Sequence, residues 1–129
     1  MKLKEIMESF PTREAFIAAV EEKLREVAAE QPRFVYNSGT VNDTSCYYDR
    51  SVCGTYVGTQ HGCIFGRALG RLGWNDSQEI ITNDPINSLF SNLAGFYDVP
   101  TSWGCIQRRQ DSGASFSTVI KYLVGFWED

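Results

Sequence analysis

Apolar residues fall at helical spacing in several stretches of the chain. From about Thr12 to Glu30, the residues Phe16, Ile17, Val20, Leu24, Val27 and Ala28 line one side, with Glu and Lys opposite. Thr12 follows Pro11 and is placed to cap that helix, and Pro32 prevents its continuation. Leu3, Ile6, Met7 and Phe10 share one side of a short preceding turn of helix. The rhythm returns at Gly62, where Ile64, Phe65, Ala68, Leu69 and Leu72 form a stripe that Gly73 closes. Asp84 is placed to cap a further helix with Pro85 at its first position, carrying Ile86, Leu89, Phe90, Leu93 and Ala94 up to Gly95. Ser102 opens a shorter, more polar helix around "WGCIQRRQD", closing at Gly113. Ser115 opens the last helix, with Phe116, Val119, Ile120, Leu123 and Trp127 facing inward.

The pattern differs in residues 33–58, "RFVYNSGTVNDTSCYYDRSVCGTYVG". Tyr, Val and Thr dominate there, broken by Asn-Ser-Gly, Asn-Asp and Asp-Arg-Ser. That composition predicts short strands, with "SCYY" and "SVCGTYV" as arms of a hairpin turning near Asp49 and Arg50. The fold expected is therefore α+β: about five helices packed around a small antiparallel sheet or hairpin from residues 33–58, in a single domain over residues 1–129. No linker, repeat or low-complexity run interrupts it.

Composition narrows the function. A net charge of −4 on 129 residues is too small for a nucleic-acid grip or for a nucleic-acid mimic. The first residues, "MKLKEIMESF", carry charges throughout, and no stretch reaches the roughly 18 apolar residues of a membrane span. A cytoplasmic location is the expectation, with Cys46, Cys53, Cys63 and Cys105 as free thiols or ligands.

The stretch "TQHGCIFGRALGRLG" is the richest in chemistry. On one helix Gly62, Gly66 and Gly70 form a strip without side chains. Each glycine costs about 1 kcal/mol against alanine, so the strip predicts a neighbour in close approach. That neighbour is a helix, the sheet or a partner's backbone, and self-association through the strip is one alternative. Cys63 falls in the first turn, where helix N–H groups and a nearby guanidinium favour a thiolate. His61, the single histidine, is the base a cysteine nucleophile needs, although it stands only two residues away. Read as structure, Cys63 is a small packing residue. Cys46, Cys53, His61 and Cys63 form a zinc set by type, but their spacing lacks the two close pairs of a knuckle. No metal or cofactor is expected. In the sketched hairpin Cys46 faces Cys53, so a disulfide between them is conceivable under oxidation.

Arg67 and Arg71 could join Arg108 and Arg109 in an anion-binding patch if their helices are neighbours; solvated arginines, some paired with Asp111 or Glu79, are the plainer reading. Tyr47, Trp74 and Trp103 are candidate surface anchors for a partner. Phosphate loops, paired catalytic carboxylates and nucleophile elbows are all missing from the sequence.

Several positions form a broader pattern. They are Cys46 and Tyr48, then Gly62, Cys63, Ile64, Gly66, Ala68, Leu69, Leu72 and Gly73, then Gln107, Gln110, Asp111 and Gly113. In these, about three quarters of the chain resembles small uncharacterised proteins of actinobacteria and their phages. The resemblance brings no known activity. It implies a compact cytoplasmic protein, phage-encoded in type, that acts by binding a host protein. The function expected is thus a non-enzymatic binding protein, with a cysteine-dependent enzyme using Cys63 and His61 as the alternative.

Overall fold

Thr12 accepts a hydrogen bond from the Ala15 N–H through its Oγ1 at 3.0 Å, as an N-cap should. The helix it opens, α2 (Arg13–Glu30), is preceded by α1 (Leu3–Glu8). The structure is a computed structural model and describes residues 1–35, 63–76, 78–80 and 84–124. Beyond α2 these residues form α3 (Ile64–Arg71), α4 (Ile86–Ala94), α5 (Thr101–Asp111), α6 (Phe116–Val119) and a closing 3₁₀ turn (Ile120–Val124). Gly73 and Gly113 both lie at a φ of 104°, in the left-handed region. Each ends its helix in a Schellman motif, in which Trp74 and Ala114 donate back to Leu69 and Arg109 at 3.0 Å.

The α+β expectation is overturned. The described residues are mostly helical, and among them no strand or sheet is present. Of residues 33–58, only 33–35 fall in the described part. There Val35 makes an isolated bridge to Ser115, which is side-by-side pairing without a strand on either side. The physical reason is that Phe34 and Val35 have a helix start for a neighbour instead of an extended chain. Phe116 and Ser117 donate their N–H groups to the carbonyls of Phe34 and Pro32 at 3.0 and 2.9 Å. These are donors that a helix leaves unsatisfied at its start. The proposed hairpin near Asp49 and Arg50 lies outside the described residues, as does Trp127.

One apolar core holds the helices together, and α2 packs along α3. A run of aromatic rings threads it. Phe10 meets Phe16, Phe16 meets Phe90, and Phe90 meets both Phe96 and Trp103, with Trp103 meeting Phe65. Centroid separations of 5.5–6.1 Å with tilted or edge-on planes suit the ring quadrupoles. Trp103 occupies the centre, touching one ring from α3 and one from α4.

Two glutamines on α5 position the starts of two other helices. Gln107 accepts from the Ile86 N–H at the head of α4, and Gln110 from the Ile64 N–H at the head of α3, both at 2.6 Å. Three residues apart, they project from one side of α5, and both are buried. Pro85, the N-cap of α4, offers no side-chain hydrogen bond, so the acceptor arrives from across the core. Asp84, expected as that cap, stands one residue further out.

Candidate functional site

The head of α3 gathers the residues that the sequence puts forward for chemistry. Cys63 is its N-cap, and the Cys63 sulfur accepts from the Gly66 N–H at 3.5 Å. The Gln110 carbonyl covers the next N–H. Cys63 is fully buried and disulfide-bonded. This corrects the expectation that it is a free thiol or ligand. A disulfide sulfur carries no thiolate lone pair for attack or for zinc. Its oxidised state also means that the helix N-terminus and a guanidinium have no thiolate to stabilise there. His61, Cys46 and Cys53 lie outside the described residues. Among the described residues no three of His, Cys, Asp and Glu come together as a metal cluster. Cys105 is a free thiol, half-buried, with the exposed Arg108 guanidinium 3.6 Å from its sulfur.

At Gly70 the glycine strip does not act as expected. The described part of α3 begins at Ile64, and Gly62 lies outside the described residues. A Cβ built on Gly70 would meet nothing within 4 Å, so nothing approaches the helix there.

The four arginines have different contacts. Arg71 sits at the end of α3 and reaches back to the end of α2. Its guanidinium donates to Glu30 at 2.5 and 2.8 Å and to Glu26 at 3.3 Å. Lys23 also bonds Glu26, at 3.0 Å. Hydrogen bonding to Lys23 first, then its charge and Arg71, holds the Glu26 carboxyl below its ordinary range. Hydrogen bonding to Arg71 does the same for Glu30, and these carboxylates raise Arg71 in return. Arg67, one turn earlier, lies over a pair of packed rings: its guanidinium carbon is 4.3 Å from the Phe34 centroid and 5.4 Å from that of Phe116, and the two rings touch each other. Its Nη1 donates to the Gln31 side-chain carbonyl. Arg109 donates to the Tyr122 hydroxyl at 3.2 Å. Helices α3 and α5 are neighbours, and Arg67, Arg71 and Arg109 each bond a different group of the fold, while Arg108 is exposed.

The two described tryptophans are buried, and each indole N–H ends on a carboxylate. Trp103 donates to Glu21 at 2.9 Å, and Trp74 to Glu79 at 3.0 Å. The same Glu79 oxygen accepts from the Leu3 N–H at 2.8 Å, which ties α1 to the turn after α3. Neither ring is exposed, and Tyr47 lies outside the described residues. The exposed large aromatic among the described residues is instead Tyr97, at 77% exposure in the turn after α4. In "GFYDVP" two aromatics are adjacent, and one turns in while the other turns out. Phe96 is the inward one, covered by Phe90 and by the Arg13 guanidinium 5.0 Å from its centroid.

No protein family, no curated protein and no solved structure matches the chain.

Proposed function

We propose that the protein is a non-enzymatic binding module that engages another protein through the turn bearing Tyr97. The observation that carries this reading is the exposure of Tyr97, whereas both described indoles are committed to the core. Tyrosine supplies large contact area with few rotatable bonds and is enriched among interface anchors. The burial and oxidation of Cys63 support the same reading, because they withhold the nucleophile that the enzyme alternative requires. The resemblance to small actinobacterial and actinophage proteins supports a host protein as the partner.

The reading includes a host-cytoplasmic location, which one observation opposes. The cytoplasmic thiol pool keeps most cysteines reduced, whereas Cys63 is disulfide-bonded. No helix among the described residues is long and apolar enough to cross a membrane.

Capture from an actinobacterial lysate tests the binding proposal when the wild-type protein is compared with Tyr97→Ala. A protein retained by the wild type and lost with the variant, at equal thermal stability of the two baits, is the expected result. Equal retention by both baits, or no specific retention, overturns it.

A further inference from the structure

We draw no further inference here: the strongest candidate, the buried disulfide-bonded Cys63 at the head of α3, is a single cysteine whose bonding partner lies outside the described residues, and nothing else at that helix start points to a ligand or a redox partner.

Discussion

Gln110 shows how one side chain can decide where a helix begins. It is fully buried, and its carbonyl is the acceptor for the first N–H of α3. Replacing it by leucine keeps the apolar bulk, leaves little room for water and strands a buried donor. Such an unsatisfied group costs about 1–3 kcal/mol. Gln110→Leu should lower the urea-unfolding free energy by that amount, while Arg108→Ala on the exposed side should change it by less than about 0.5 kcal/mol. Similar small losses in both variants would remove Gln110 from its capping role. From sequence, Gln107 and Gln110 read only as polar residues of a polar helix, because their carbonyls act on N–H groups 21 and 46 positions away. Gly70 is a second case. The helical spacing is legible and predicts a close neighbour, but the space beside the residue is open. Gly70→Ala should therefore stabilise the protein by about 0.4–1 kcal/mol, since alanine loses less backbone freedom on folding. A destabilisation in thermal or urea unfolding would restore the packed-strip reading.

At the scale of elements, α2 and α3 are joined at their ends by Arg71 with Glu26 and Glu30, and by Arg67 with Gln31 and Phe34. The Arg71 cluster is exposed, so water and salt screen it, and its contribution should be small. Its sign with pH follows from the carboxylates. Both have folded pKa values below the ordinary value, so the stabilisation is present at neutral pH and is lost as pH falls through the lowered values. The stability difference between the wild type and Glu30→Gln should shrink on acidification, and also on raising salt at neutral pH. A difference that is independent of both would show that the ion pair is not its source. Element types were legible where a 3.6-residue stripe met a cap, as in Thr12 to Glu30 or at Gly73 and Gly113, although the stripe that Ser115 opens passes into a 3₁₀ turn after Val119. The sheet was a misreading of a different kind. Strand propensity describes a side chain that fits a pleated, half-buried surface, so it depends on a neighbouring strand that sequence cannot supply. Phe34 found a guanidinium and another ring instead.

For the molecule as a whole, the aromatic run through Trp103 is the central support. The hydrogen bond from Trp103 to Glu21 spans 82 positions, a closure invisible to any local pattern. That is why an indole in a polar helix reads as a surface anchor in the sequence. Trp103→Ala should cost about 3–5 kcal/mol, a large share of the stability of a small domain, and should be visible as a lowered Tm or as failure to fold. Cys63 rests on the same core, and its burial gives the enzyme alternative a decisive chemical test. After gentle reduction, a thiol at 0% exposure can meet iodoacetamide only when the bundle opens. An opening free energy of only about 3 kcal/mol already holds its labelling roughly a hundredfold below that of an accessible thiol. Peptide mass spectrometry of the folded, reduced protein should therefore find Cys105 alkylated well before Cys63, with the two rates converging in urea. A nucleophile activated for catalysis would give the reverse order, with Cys63 labelled first under native conditions. That order would return Cys63 and His61 to candidacy as a catalytic pair, and would show that the head of α3 opens without the rest of the core.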